Sequence, residues 1–140
     1  MINVLIDTDV ILDFFFDKHP FSEHAANVLS LCESKAINGF ITPVICSNVY
    51  YLLRRTAKHE KVIAKLSQLF TIVDVLIINK ATILRALDSD FKDFEDALQH
   101  YAASHDGGID LILTRNIKDY RKGALSVMTP ESYVKIIRNQ

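Results

Sequence analysis

The sequence predicts an α/β fold, a three-layer α/β/α sandwich around a mostly parallel central sheet of about five strands. Two features of the sequence predict this fold. Short apolar runs of strand type alternate along the chain with segments whose apolar residues recur at helical spacing. The strand-like runs are mostly apolar, which is typical of parallel strands covered on both faces by their connecting helices.

Length and composition limit how the chain is organised. The 140 residues, 49% hydrophobic and 24% charged, suit a single globular domain spanning residues 1–140. The net charge of -1 excludes a chain that grips nucleic acid by overall positive charge. The two cysteines, Cys32 and Cys46, lack metal-site spacing and favour a reducing cytoplasm over a disulfide scaffold. No apolar run is long enough to span a bilayer, which predicts a soluble, unprocessed protein.

The first half of the chain contains two predicted strands and three predicted helices. Residues 2–6 form an apolar run, and residues 22–34 carry Ala25 and Leu29 at helical spacing. Ser47 is a candidate N-cap for the second helix. The predicted elements are a strand at 2–6, a helix at 22–34, a strand at 39–44, a helix from Ser47 to about Lys58, and a helix at 60–70.

The second half contains three predicted strands and three predicted helices. Residues 73–78 are rich in β-branched residues, and Asp93 precedes an apolar stripe at helical spacing. Thr129 followed by Pro130 is typical of an N-cap and a first helical position. The predicted elements are a strand at 73–78, a helix at 80–87, a helix from Asp93 to about His105 ended by Gly107 and Gly108, strands at 110–114 and 125–128, and a last helix towards Arg138.

An aspartate ends the first predicted strand. In the stretch VLIDTDVILD, Asp7 follows a buried apolar run, and Asp9 and Asp13 come soon after. Ligands of open α/β sheets bind beyond the carboxyl ends of the strands. A carboxylate at the end of a buried strand costs desolvation energy unless a cation or a donor compensates it. Asp9 and Asp13 equally suit capping or solvation of the segment after the strand, so Asp7 is the strongest candidate.

Further polar groups lie at comparable positions. Asp93 and Asp96 start a predicted helix on one face, and Asn116 and Asp119 follow the fourth predicted strand. Mg²⁺ and Mn²⁺ prefer oxygen ligands and need only one or two carboxylates when a phosphate supplies others. With Asp7, this cluster predicts metal-assisted hydrolysis of a phosphodiester. Taken singly, Asp93 suits an N-cap, Asp96 a first-turn acid and Asp119 a turn.

Five segments in a fixed order carry a family resemblance: VLIDTDVILDFF, ITPVICSNVYYLLRR, DFEDALQHYAA, DLILTRNIKDY and VMTPESYV. Across nearly its whole length the chain resembles the PIN-domain family, metal-dependent ribonucleases that include many bacterial toxins of toxin-antitoxin pairs. The resemblance implies a Mg²⁺- or Mn²⁺-dependent endoribonuclease, with Asp7 the first metal-site acid and Asp96 the later, helix-borne one. It implies RNA as substrate and, for a toxin, a cognate antitoxin. The resemblance, since members of the family commonly form dimers, and the apolar composition together favour a homodimer.

Two positions depart from the commonest family pattern. Asn48 stands where many members have Glu, and Asn116 stands where many have Asp. An amide donates a carbonyl oxygen but brings no negative charge and cannot act as a base. Metal affinity is therefore expected to be weaker, with Asp119 and either Asp93 or Glu95 restoring charge. The predicted catalytic residues are Asp7, Asp96 and Asp119, and the predicted metal ligands are Asp7, Asp96, Asn116, Asp119 and Asp93.

Basic residues predict a local groove for nucleic acid. Arg115 and Lys118 lie in sequence among the acids, where phosphates would arrive, although charged helix faces are commonly only solvated. Other basic residues are Arg55, Lys58, Lys61, Lys65, Arg121 and Lys122. The predicted substrate contacts are Asn48, Thr114, Arg115, Lys118 and Arg54. The aromatic residues at 14–16 and Tyr50 with Tyr51 are expected to pack or to form a dimer contact rather than to stack on bases.

Two alternatives to a nuclease stay open on the sequence. The amides Asn48 and Asn116 suit a degenerate PIN module that binds RNA or a protein without cleavage. Asp7 and Asp9 also resemble the aspartate pair of haloacid-dehalogenase-type phosphatases, with a loose match at Lys118, but the chain lacks their usual size and cap.

Overall fold

The computed structural model describes residues 1–104 and 108–140, and its centre is a five-stranded sheet. The strands are β1 (Asn3–Ile6), β2 (Asn38–Ile41), β3 (Val73–Val75), β4 (Leu111–Leu113) and β5 (Ser126–Met128). Their order across the sheet is β3-β2-β1-β4-β5, and every neighbouring pair is parallel. The predicted α/β fold is confirmed, and the described sheet is parallel throughout.

The helices cover the sheet in two layers. They are α1 (Thr8–Phe15), α2 (Ser22–Glu33), α3 (Pro43–Leu53), α4 (His59–Leu69), α5 (Lys80–Leu87), α6 (Phe94–Ser104) and α7 (Pro130–Arg138), with a 3₁₀ helix at Ile117–Tyr120. The chain moves from β1 to β3 in one direction and then returns past β1 to β4. Right-handed crossovers therefore place α1 to α4 on one face and α5 and α6 on the other. Packing of α2 against α1 and α7, and of α5 against α6, agrees with the predicted three layers.

The reversal of strand order lies between β1 and β4. Val4, Leu5 and Ile6 of β1 have no exposed surface, and the same holds for Ile112 and Leu113 of β4. These strands are covered on both faces, as their continuous apolar runs predict, and each such side chain contributes about 2 kcal/mol by burial. The residues that directly follow these two strands therefore meet at the sheet edge where α/β proteins bind ligands.

The structure corrects the boundary between β2 and α3. The prediction of a strand at 39–44 was wrong at its end, because Thr42 is the N-cap of α3 and Pro43 its first residue. The Thr42 side chain accepts a backbone N–H of the first turn at 3.1 Å. Ser47 lies inside the helix and is not its cap, and α3 ends before Lys58. A threonine followed by proline starts this helix as it starts α7.

Helix α1 was not predicted. Asp7 is its N-cap, and the Asp7 carboxylate accepts the backbone N–H of Thr8 at 2.8 Å. Val10 and Ile11 are fully buried on the core side of α1. Acidic residues interrupt the short apolar segment, so its helical spacing is weak in the sequence, and packing of Val10 and Ile11 stabilises a helix that propensity alone would not.

The remaining elements lie close to their predicted positions. Helix α5 coincides with the predicted helix at 80–87, whereas β3 covers only the first part of the predicted strand at 73–78. Asp93 accepts the N–H of the helix first turn at 3.0 Å, as expected of an N-cap. The predicted end of that helix, near His105 and Gly107, lies outside the described residues. Within residues 1–104 and 108–140, every helix is too short or too polar to cross a bilayer.

Candidate active site

An acidic cleft lies beyond the carboxyl ends of β1 and β4. It has a volume of about 340 Å³. Six predicted site residues line it together, although they come from four different segments of the chain. These residues are Asp7, Asn48, Asp93, Asp96, Asn116 and Asp119. Asp9 and Glu95 also line the cleft, so the folded chain gathers six carboxyl groups and two amides around one opening.

Asp7 lines this cleft and accepts hydrogen bonds on both carboxylate oxygens. Its Oδ1 accepts the N–H of Thr8 at 2.8 Å, and its Oδ2 accepts the hydroxyls of Thr114 at 2.9 Å and Tyr120 at 3.2 Å. Burial nevertheless raises the pKa of Asp7 above its ordinary value, because desolvation outweighs these donors. The carboxylate is therefore oriented by three donors, none of which carries a positive charge.

Asp9 lines the cleft, although its position in the sequence equally suited capping or solvation. Its Oδ2 accepts the backbone N–H of Arg115 at 3.0 Å, with the Asn116 amide at 3.5 Å. Its Oδ1 is buried and has no hydrogen-bond partner among the described residues. Burial first, and the charge of Asp7 second, raise the pKa of Asp9 to about 6. Its place two residues after Asp7 was the only signal in the sequence.

Helix α6 brings a second group of acids to the cleft. Burial raises the pKa of Asp96 to about 7, and the nearby charges of Asp93, Asp119, Asp7 and Glu95 add to that increase. This dependence on several like charges shows that the carboxylates from separate elements repel one another across the cleft.

Asn48 is tied to this acidic group. Its Nδ2 donates a short hydrogen bond to Oε1 of Glu95 on α6. The amide at the position where many family members have an acid thus meets a carboxylate from another helix. The Glu95 carboxylate therefore lies beside Asn48, and its role in restoring the missing charge stays a prediction.

The donor set fits a hydrated divalent cation rather than a closed metal cage. Within the described part of the chain, no three Asp, Glu, His or Cys side chains converge closely enough to hold a metal ion as a group. The unpartnered Oδ1 of Asp9 and the raised pKa values of Asp9 and Asp96 nevertheless mark uncompensated negative charge. Mg²⁺ keeps several waters and needs only one or two direct carboxylates, so these residues suit such an ion.

Two predicted substrate contacts have partners inside the protein. Thr114 has no exposed surface, and its hydroxyl donates to Asp7, so in this structure it supports the carboxylate. The Arg115 guanidinium pairs with Asp13 through bonds of 2.7 and 3.0 Å and lies 4.0 Å from the ring centre of Phe21. The positive charge of Arg115 compensates the Asp13 carboxylate, which is only 3% exposed and requires a partner.

The other predicted substrate contacts are accessible. Arg54 is exposed at the end of α3, where its Nη1 donates to the carbonyl of Ala57 at 2.9 Å. Lys118 is exposed in the 3₁₀ helix next to Asp119. Their contact with a substrate stays a prediction.

Fold and site together match a known class of protein. A profile of the PIN domain matches residues 3–118, and the chain belongs to the PIN-domain family. Ribonuclease VapC1 of Aquifex aeolicus (strain VF5) is 25% identical over 135 residues, which cover 93% of this chain and 92% of that protein.

Solved structures share the fold. The structure of VapBC2 from Rickettsia felis, bound to a DNA fragment from its promoter, matches with a TM-score of 0.71 at 17% identity. That match covers 91% of this chain and 98% of the other. A toxin-antitoxin complex from Klebsiella pneumoniae matches with a TM-score of 0.68 at 21% identity, over 91% and 97% of the two chains.

Proposed function

We propose that this protein is a divalent-metal-dependent endoribonuclease that hydrolyses RNA phosphodiester bonds and acts as the toxin of a toxin-antitoxin pair. The observation that carries the proposal is the acidic cleft around Asp7, at the reversal of strand order in a PIN-domain chain. The name of the Aquifex aeolicus relative, a ribonuclease, supports the same activity. Family membership favours this activity over the phosphatase alternative.

Mg²⁺ or Mn²⁺ would be held by Asp7 and Asp96, with Asn116, Asp119 and Asp93 in support. When bound, such an ion polarises a phosphoryl oxygen and acidifies a coordinated water. The chain's own residues hold the Asp7 carboxylate in place through the donors Thr8, Thr114 and Tyr120. Without a cation, burial and the neighbouring carboxylates raise the pKa of Asp96 to about 7, so a divalent ion held there would offset the repulsion that raises it.

Phosphate groups need positive charge near this acidic opening. We assign substrate contact to Arg54 and Lys118, which are exposed, and to Asn48, which lines the cleft. Because the acids repel phosphates, divalent cations and these side chains must together offset that charge.

Two free thiols, Cys32 and Cys46, favour a reducing cytoplasm as the place of action.

An inhibitor protein fits a second surface. A groove of about 450 Å³ between α1, α2 and α4 is lined by Phe14, Phe15, Leu29, Leu69 and Ile72 among others. Leu29 and Leu69 are buried at the base of this groove, and Phe14 is 41% exposed beside them. Exposed apolar surface of this kind is typical of protein contacts. We propose that a cognate antitoxin docks there, as the Klebsiella pneumoniae match is itself a toxin-antitoxin complex. A Phe14→Asp variant, at a side chain that is 41% exposed, is expected to lose capture of the coexpressed partner while keeping its cleavage activity.

A homodimer is proposed from another apolar face. Ile83, Leu84 and Leu87 of α5 are between 39% and 65% exposed, and Phe94 of α6 is 47% exposed. Leu84→Lys with Leu87→Lys is expected to convert a dimer to a monomer in light scattering. A native protein that is monomeric at all concentrations would contradict this assignment.

The test of the proposed activity is cleavage of a mixed RNA pool by the purified protein with Mn²⁺, with Mg²⁺ and with EDTA. Asp7→Asn keeps the size of the side chain but removes its charge, and is expected to abolish cleavage with the fold intact. Asp74→Asn, at an exposed position on β3, is the matched control and should cleave normally. Normal cleavage by Asp7→Asn would overturn the site assignment.

A binding module without cleavage is the second candidate. The observation that favours it is the pair of amides, Asn48 and Asn116, on the wall of the cleft. If the folded protein binds RNA but does not cleave it with any divalent metal, the binding function replaces the nuclease.

A further inference from the structure

The outer face of α3 carries an exposed aromatic residue that the proposed active site does not use. Tyr51 was expected to pack or to form a dimer contact, but its side chain is not in the core. It is 68% exposed, whereas Ile45, Val49 and Leu53 of the same helix are buried. With 3.6 residues per turn, Tyr51 points almost directly away from that buried side.

This aromatic ring lies next to the acidic cleft. Asn48 lines the cleft, and Tyr51 follows it by three residues, about one helical turn or about 5 Å along the axis. Residues three apart are neighbours on a helix surface. A nucleic-acid strand that extends from the cleft along α3 would therefore pass Tyr51.

A second aromatic pair supports the ring. Tyr50 packs against Tyr51 edge to face, with ring centres 5.0 Å apart. The Tyr50 hydroxyl is hydrogen-bonded to Nδ1 of His59 at the start of α4, at 2.8 Å. Because the hydrogen bond to His59 orients Tyr50, the exposed ring of Tyr51 packs against an oriented side chain.

The charges around Tyr51 suit a polyanion. Arg54 and Arg55 follow it at the end of α3, Lys58 comes shortly after, and all three are exposed. Arg54 is oriented by its bond to the carbonyl of Ala57. An exposed ring flanked by cations is the arrangement that binds single-stranded nucleic acid, since bases stack on the ring and phosphates meet the cations.

We propose that Tyr51 is a stacking platform for one unpaired base of single-stranded RNA, with Arg54 and Arg55 on the adjoining phosphates. This subsite rests on the proposed ribonuclease function, for which it names the substrate class. Bases in a duplex are stacked on each other and unavailable to the ring, so RNA loops and single strands are preferred over duplex RNA.

The first test uses the absence of tryptophan from the chain. Tyr51→Trp, combined with Asp7→Asn to keep the RNA intact, gives a protein with a single tryptophan next to the cleft. Its fluorescence should be quenched by a short single-stranded oligoribonucleotide in Mg²⁺. The same strand in a duplex should quench less, and inorganic polyphosphate, which has charge but no bases, should not quench.

The second test separates binding from chemistry. In single-turnover cleavage, Tyr51→Ala should raise the half-saturating protein concentration at least about fivefold, the smallest loss expected for one stacked base. The limiting rate should stay within about twofold. Tyr51→Phe keeps the stacking face and should behave as wild type. Phe70→Ala, which removes another exposed aromatic, is the control and should also behave as wild type.

The outcomes distinguish the subsite from the nuclease. Cleavage by wild type together with unchanged behaviour of Tyr51→Ala would overturn the subsite and leave the nuclease standing. Quenching by RNA without any metal-dependent cleavage would uphold the subsite and overturn the nuclease. A change of oligomeric state in Tyr51→Ala would mean that this face contacts protein, which would overturn the proposal.

Discussion

Asp9→Asn should stabilise the metal-free protein at alkaline pH. In the folded chain the pKa of Asp9 is about 6, above its ordinary value of 3.8, because of burial and the charge of Asp7. The folded state therefore binds this proton more tightly than the unfolded state. The stability linked to that proton is fully present below the ordinary pKa and is lost as the pH rises through about 6.

The magnitude follows from the difference between the two pKa values. At 1.36 kcal/mol for each pH unit, a pKa of about 6 in place of 3.8 corresponds to a loss of up to about 3 kcal/mol in wild type. Asparagine has no such proton to lose. Its amide oxygen is able to keep accepting the N–H of Arg115, while its NH₂ group replaces the unpartnered oxygen.

Urea unfolding in EDTA measures the difference. At about pH 8 the free energy of unfolding of Asp9→Asn should exceed that of wild type by up to about 3 kcal/mol, and at about pH 4 the gap should close. Asp74→Asn, at an exposed position, should show no such pattern. Added Mn²⁺ should narrow the gap at about pH 8, because an ion bound by the native state stabilises wild type. A variant less stable than wild type at about pH 8, or a gap independent of pH, would refute the reasoning.

Three further predictions concern the surroundings of the cleft. Asn116→Asp restores a charge at the rim and should tighten Mn²⁺ binding in calorimetry; unchanged or weaker affinity would place Asn116 outside the metal shell. Tyr120→Phe keeps a fully buried ring but removes the 3.2 Å hydrogen bond to Asp7. It should weaken Mn²⁺ binding about fivefold, the equivalent of one hydrogen bond of about 1 kcal/mol. Equal affinity would show that the hydroxyl does not orient the carboxylate. Asp13→Ala leaves Arg115 without its partner and should lower the free energy of unfolding by about 2 kcal/mol in urea; a loss below about 0.5 kcal/mol would reduce the pair to a solvent-screened contact.

Local patterns in the sequence were sufficient for much of the fold. The helix at 80–87 and the Thr129–Pro130 start of α7 agree with the structure, because periodicity and capping act within one or two turns. The same threonine-proline pattern was present at Thr42 and Pro43, but the apolar run of β2 continues up to it and hid the helix start. Helix α1 was missed because it is stabilised by burial of Val10 and Ile11, which no short window reveals.

That acids gather at one edge of a parallel sheet could be predicted from the sequence, because a carboxylate such as Asp7 is costly at the end of a buried strand without a donor or a cation. Which side chains donate to it depends on the folded chain. Thr114 reaches Asp7 across 107 positions of the chain, and Arg115 reaches Asp13 across 102. Contacts at such separations depend on how β1 and β4 are paired, so the sequence could not tell that Arg115 is used internally or that Asp9 belongs to the cleft.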